Sequence, residues 1–154
     1  LITAWRLVRQ EHGSKEAAFS GEGARRFGGR WNSPGIAVVY TSANLSLAAL
    51  ETLAHADRRR FERDYLTFRL HLPEDEVLLL DEAALPADWQ ERPVSQAARR
   101  IGDAWVKAQA SVALSVPSVI VPVERNLLLN PAHPHFAKVV IDTPLPFRFD
   151  GRLR

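Results

Sequence analysis

Cysteine is absent from this 154-residue chain, and so is methionine. Without cysteine there are no disulfides and no thiolate metal sites, a composition that suits a reducing cytoplasm. No run of about 18 apolar residues occurs, so no transmembrane helix is expected. Residues 1–6 lack the basic start, apolar core and small-residue cleavage site of a signal peptide. A cytoplasmic protein without membrane attachment is the expectation. Lysine is scarce too: Lys15, Lys107 and Lys138 are the only lysines among 20 basic residues, and the net charge is just +2. With so small an excess and no recognition-helix or RNA-binding signature, direct nucleic-acid binding is not expected. The remaining basic residues are arginines. They reflect either a GC-rich coding sequence or sites that grip phosphate or carboxylate through two parallel hydrogen bonds, which lysine cannot make.

What is present fits one globular domain, residues 1–154, with 46% hydrophobic content to fill a core. Apolar patterning predicts strands over residues 2–8, 36–41, 65–72, 77–80, 115–123, 137–142 and 146–150. Asn44 is a good N-cap for a helix from residue 45 to about 56. A second helix is predicted from Pro93 to about residue 111, on the spacing of Val94, Ala97, Ala98, Ile101, Ala104, Trp105 and Ala108. Arg99, Arg100 and Asp103 lie off its apolar stripe, and the helix reads as structural. Residues 10–35 are rich in glycine and have no periodicity, yet Phe19, Phe27 and Trp31 argue against disorder. They read as a folded, functional loop. Gly21-Glu22-Gly23 is not a dinucleotide fingerprint, because the third glycine is missing. Residues 81–92 read as a packed connector, 124–136 as a loop, and the charged run 57–64 as a solvated face. The order is not regularly βαβ, which favours α+β with a mixed or antiparallel sheet and flanking helices.

The chemistry concentrates in residues 28–51. A glycine-rich loop presents Arg30, Trp31 and Asn32, the next strand carries Tyr40, and the helix after it carries Glu51. Leu47, Leu50 and Ala54 define the predicted buried stripe of that helix, and Glu51, four residues after Leu47, points along it. A carboxylate there needs a partner, because an unpaired buried charge is unfavourable by several kcal/mol, on the order of the usual desolvation penalty. It is either a structural ion pair with a nearby arginine or a functional group; His55, one turn on, is a further partner. Arg6, inside the first strand, is either solvated at an edge or paired, or binds an anion.

Other chemistries have weaker support. His133-Pro134-His135 is too close and too proline-constrained for a helical His pair, and no metal site is expected. Ser118 lacks a nucleophile-elbow glycine pattern. A ribonuclease or nucleic-acid-binding protein using Arg30, Glu51 and a histidine is the alternative, since phosphodiester cleavage needs a base, an acid and an anion stabiliser. A guanidinium for a pyrophosphate, an aromatic ring for nicotinamide and a carboxylate against a positive anomeric carbon match the needs of nicotinamide–ribose cleavage in NAD.

Several ordered blocks resemble the RES-domain family, the toxins of bacterial RES–Xre toxin–antitoxin pairs. They are Gly28-Gly29-Arg30-Trp31-Asn32-Ser33-Pro34-Gly35, Val39-Tyr40-Thr41-Ser42, Leu47-Ala48-Ala49-Leu50-Glu51 with His55, Val116-Pro117-Ser118-Val119-Ile120-Val121-Pro122, and residues 126–134. The resemblance implies a fold like that of ADP-ribosyltransferase toxins, and NAD consumed as substrate, with no cofactor or metal. It implies that Arg30 binds the NAD phosphates, Tyr40 stacks on nicotinamide, and Glu51 holds the ribose and favours the oxocarbenium-like transition state. Arg6, Ser118 and Asn126 match other polar family positions, expected around the bound NAD. The Arg-Tyr-Glu order looks like the His-Tyr-Glu set of diphtheria-type transferases. The resemblance further implies a cognate antitoxin with an Xre-like helix-turn-helix domain covering the cleft. The acceptor of ADP-ribose stays open between a protein side chain, phosphate and water.

Overall fold

The computed structural model describes residues 1–55 and 63–153. Most of the charged run at 57–64, and the predicted helix end at residue 56, lie outside the described residues. The strands are β1 (Ile2–Arg9), β2 (Val39–Ser42), β3 (Tyr65–Leu72), β4 (Val77–Leu79), β5 (Ala113–Pro117), β6 (Arg125–Leu129), β7 (Val140–Ile141) and β8 (Leu145–Phe147). The helices are α1 (Lys15–Ala18), α2 (Glu22–Phe27), α3 (Leu45–His55) and α4 (Gln96–Ala108). None of them is long and apolar enough to cross a membrane.

All eight strands join one sheet in the order β4-β5-β6-β2-β1-β3-β7, with β8 also on β3. The β4–β5 pair is parallel and the others are antiparallel. The fold is therefore α+β with a mixed sheet and flanking helices, as expected. Alternation puts two cores on its two faces. Val39, Phe68, Leu70, Leu127 and Leu129 share one with Ala18 and Phe19. Trp31, Val38, Leu114, Val116 and Leu128 share the other with Ala98 and Trp105 of α4.

Several boundaries differ from the periodicity, each for a local reason. The strand predicted from residue 36 begins at Val39, because the Asn32 side chain captures the Ile36 carbonyl (2.9 Å) that a ladder would use. Pro93 does not open α4; Ser95 caps it, its Oγ accepting from the Ala98 N–H (3.0 Å). The strand predicted over 115–123 starts at Ala113 and stops at Pro117, since Ser118 Oγ takes the N–H groups of Ile120 and Val121 and turns the chain. β6 falls where a loop was expected; Leu127, Leu128 and Leu129 are buried on both faces, and a continuous apolar triplet carries no period-2 signal. The last two strands shrink to β7 and β8, β7 preceded by a 3-10 turn at Phe136–Lys138. Residues 10–35 hold α1 and α2, too short to show a period.

The feature that positions the site is a split in the sheet. β1 runs in register with β3 along its whole length, from Ile2↔Leu72 to Arg9↔Tyr65. It meets β2 only through Trp5↔Ser42 among the described residues. Beyond that pair the two strands separate, and Arg6 reaches across the gap to donate to the Tyr40 carbonyl (2.9 Å) and to the Ala18 carbonyl.

Candidate active site

The split opens into a cavity of about 580 Å3, within the range of small-molecule sites. α3 contributes Ala48, Glu51, Thr52 and His55, spaced i, i+3, i+4 and i+7, to its wall. This shifts the expected stripe by one position: Leu47 is buried, but Leu50 is 43% exposed and Ala54 also faces out. The inward face of α3 is the cavity face, and Glu51 lies on it, half-buried.

Glu51 has no ion pair among the described residues. Its Oε1 accepts from Ser118 Oγ (2.7 Å) and from Asn126 Nδ2 (2.8 Å). Asn126 is oriented in turn by Ser42, whose hydroxyl donates to Asn126 Oδ1 (2.8 Å). The structural ion-pair reading of Glu51 thus has no counterpart here: two neutral donors hold the carboxylate, both on one oxygen. His55 is not a carboxylate partner either; its Nδ1 lies 3.0 Å from the Glu51 main-chain carbonyl. Ser118 belongs to the site through Glu51, as a positioning hydroxyl.

Tyr40 borders the same cavity with its hydroxyl already committed. It donates to Asn32 Oδ1 (2.6 Å) and accepts from the Trp31 N–H (3.2 Å). Burial pushes the phenol well above its ordinary range, so it stays protonated. The ring is the part left to a ligand. Behind it, fully buried Asn32 gives Nδ2 hydrogens to the carbonyls of Ala24 and Ile36 (both 2.9 Å), tying α2 and the loop to β2. A Cβ on Gly29 would stand 2.5 Å from the Tyr40 hydroxyl, so only glycine lets the loop close on it.

Sequence reasoning missed the loop's second support, α4. Arg99 Nε donates to the Gly29 carbonyl (3.0 Å), and Asp103 accepts from both the N–H (2.8 Å) and the hydroxyl (2.6 Å) of Ser33. Between them, Gly102 lets the Trp31 carbonyl approach so closely that a Cβ would lie 1.7 Å from its oxygen. The available signal was Gly102 itself: a mid-helix glycine is unfavourable by about 1 kcal/mol relative to Ala, and such a position often marks close backbone approach.

Arg30 leaves the loop towards the cavity, its Nη1 donating to the carbonyls of Trp89 (2.8 Å) and Glu91 (3.1 Å). Burial first, then the neighbouring Arg92, bring its pKa down, partly offset by Glu51 and Tyr40. Arg6 keeps some exposed surface on the cavity side, but its guanidinium is desolvated enough to be lowered to about 10. Both arginines lean on carbonyls and, among the described residues, neither has a carboxylate ion-pair partner. The structure therefore brings Arg6, Arg30, Tyr40, Glu51, Ser118 and Asn126 together, five of them on the cavity wall and Ser118 directly behind Glu51.

The histidines set aside for metal binding do converge. One ligand atom each from Glu76, His133 and His135 lie within 4.8 Å of one another. A cation is already supplied there: Lys138 Nζ stands 2.9 Å from Glu76 Oε1, as does His135 Nδ1. His133 spends Nε2 on the Gln109 carbonyl (3.1 Å) and Nδ1 on the His135 N–H (2.9 Å).

A split mixed sheet, a cleft bordered by arginines and one carboxylate held by neutral donors define an α+β domain whose cavity sets guanidinium groups beside a negative group. The chain belongs to the RES domain family, whose model matches residues 3–150. It is 37% identical over 139 residues to "Toxin Res" of Yersinia enterocolitica, covering 90% of this chain and 91% of that protein. It is 39% identical over 134 residues to the "Prs ADP-ribosylating toxin" of Sphingobium sp., covering 84% and 83% respectively. Among solved structures, the M. tuberculosis MbcT–MbcA toxin–antitoxin complex contains a chain of like fold, with TM-score 0.77 and 19% identity, covering 95% of this chain and 84% of that one.

Proposed function

We propose that this chain is the toxin of a bacterial toxin–antitoxin pair and acts as an enzyme on NAD, breaking the nicotinamide–ribose bond. The observation that carries the reading is Glu51, a carboxylate on the cavity wall held by Ser118 and Asn126 and, among the described residues, without a paired cation. Such a group hydrogen-bonds the nicotinamide ribose and opposes the positive charge that grows at the anomeric carbon as the bond to nitrogen lengthens. Arg30 and Arg6 take the phosphates, and the Tyr40 ring stacks on nicotinamide. The bonding pair leaves with nicotinamide, which departs neutral; the acceptor oxygen or nitrogen then bonds to the ribose and gives up a proton. NAD is substrate here, and neither a metal nor a further cofactor is needed.

The name of the Sphingobium relative supports transfer to a protein side chain; phosphate or water as acceptor would instead deplete NAD. The MbcT–MbcA complex supports a protein antitoxin as partner, which we take to carry an Xre-like helix-turn-helix domain and to act with the toxin in the cytoplasm. The test is to incubate the purified protein with NAD labelled in the adenylate half, with and without phosphate and cell lysate. Label on a protein band supports transfer, and labelled small products support degradation. No loss of NAD under any condition overturns the proposal.

A further inference from the structure

The segment between β4 and α4, expected only to connect, forms part of the cavity wall. The Trp89 ring stacks on Trp31 (centroids 6.1 Å apart, planes at 29°). Turn hydrogen bonds run from the Trp89 N–H to the Pro86 carbonyl (3.1 Å) and from the Glu91 N–H to the Asp88 carbonyl (3.0 Å). Arg30 clasps the same segment through the carbonyls of Trp89 and Glu91. The next residue, Arg92, is thereby delivered to the cavity, which it lines together with Arg30.

The resulting charge arrangement is unusual. Arg92 has no hydrogen bond or ion pair among the described residues, and it is close enough to Arg30 to disfavour that group's charge. Arg9, another cavity arginine, is already paired with Glu11 (3.2 Å). Two like charges that line one cavity, neither ion-paired to a carboxylate among the described residues, are an unfavourable arrangement that an anion relieves. Glu51, tethered to Ser118 and Asn126, forms no ion pair with either arginine and offsets the repulsion at Arg30 only in part.

We infer that Arg92 and Arg30 form a two-arginine clamp for a diphosphate, with Arg92 a substrate-binding residue that recognises the ligand's phosphates rather than its base or sugar. The clamp deepens the NAD reading and rests on it: a dinucleotide offers two adjacent phosphates, and paired guanidinia grip phosphate oxygens in a fixed fork. Arg92 takes no part in bond breaking, so its effect falls on binding.

The test compares wild type, R92Q and R92K by calorimetric titration with ADP and with adenosine, and by NAD turnover. For R92Q we expect ADP affinity to fall about 10- to 100-fold, as for loss of a charge-assisted contact. Adenosine binding should not change, KM for NAD should rise in parallel, and kcat should hold within about twofold of wild type, as for loss of uniform binding. R92K should recover part of the affinity, keeping the charge but not the fork. The melting temperature should be unchanged or raised, since an exposed side chain without partners is removed. If R92Q binds ADP as wild type does, Arg92 is no phosphate ligand, although the NAD reading stands. If wild type binds neither ADP nor NAD, both fail together.

Discussion

Glu51 and Glu76 are both carboxylates withdrawn from bulk water, and the fold satisfies them in opposite ways. Glu76, 7% exposed, receives His135 and Lys138 on one oxygen. Lys138 first, by its hydrogen bond, and His135 after it hold the Glu76 carboxyl below its ordinary range. Glu51 receives a serine hydroxyl and an asparagine amide instead, although several arginines border the same cavity. The nearest comparison is between a charge that is cancelled and a charge that is kept. Cancelling it joins the segment before β4 to the 3-10 turn before β7. Under the proposed function, keeping it leaves a negative group to meet a cation that exists only briefly, which is what an oxocarbenium-like transition state requires.

The sharpest way to break this contrast is Glu51→Gln. Glutamine keeps a side-chain oxygen for Ser118 and Asn126, so the fold and melting temperature should hold while the charge is lost. Nicotinamide release should then fall on the order of 10³-fold, the scale for removing one preorganised electrostatic contact. A variant that turns over NAD like wild type would make Glu51 a structural residue after all, no different in kind from Glu76.

The next two substitutions ask whether the kept charge depends on the loop that carries Arg30. Gly102→Ala places a methyl against the Trp31 carbonyl, and we expect destabilisation of about 1–3 kcal/mol, typical of overpacking, with a rise in KM as Arg30 shifts. Chemical denaturation and steady-state kinetics read the two effects. Tyr40→Phe keeps the ring but strands Asn32 Oδ1 and the Trp31 N–H. An unsatisfied buried polar group costs about 1–3 kcal/mol, so stability should drop while some activity persists through the ring. If Tyr40→Phe is fully stable and fully active, the hydroxyl does not organise the loop.

How legible these regions were in the sequence follows from how local their causes are. α3 and its Asn44 cap were readable, because Asn44 Oδ1 does accept from the Leu47 N–H (2.8 Å). β3 was readable through the alternation of Leu66, Phe68, Leu70 and Leu72, although Leu66 is only half-buried. The oddity of Glu51 was also readable, but its partners were not: Ser118 and Asn126 lie 67 and 75 residues away, and their role depends on sheet order. Their inclusion at the site came from resemblance rather than from spacing. β6 was missed because its burial on both faces erases the period, and the Arg99–Gly102–Asp103 support was missed because polar residues on a helix normally face water. The Glu76 cluster escaped for a similar reason, joining Glu76 to residues 59 and 62 positions later.

Glu76→Gln is the smallest perturbation and the control for the whole contrast. It removes a cancelled charge remote from the cavity wall, so NAD turnover should stay at the wild-type level, and only stability should respond. The sign of the pH dependence is fixed by the two partners. Glu76 is depressed below 4.5 in the folded state, so its contribution is present above that value and lost as pH falls through the folded pKa. Lys138 is raised above 10.5, so its share is present below that value and lost as pH rises through the folded pKa. The stability gap between wild type and Glu76→Gln should therefore be widest between about pH 4.5 and 10.5 and close on both sides. Denaturation curves at pH 3, 7 and 12, about 1.5 units beyond each limit and between them, give the three points needed. A gap that persists unchanged at low pH would mean that shape rather than charge holds Glu76 in place. The two carboxylates would then differ in what surrounds them, but not in whether their charge matters to the fold.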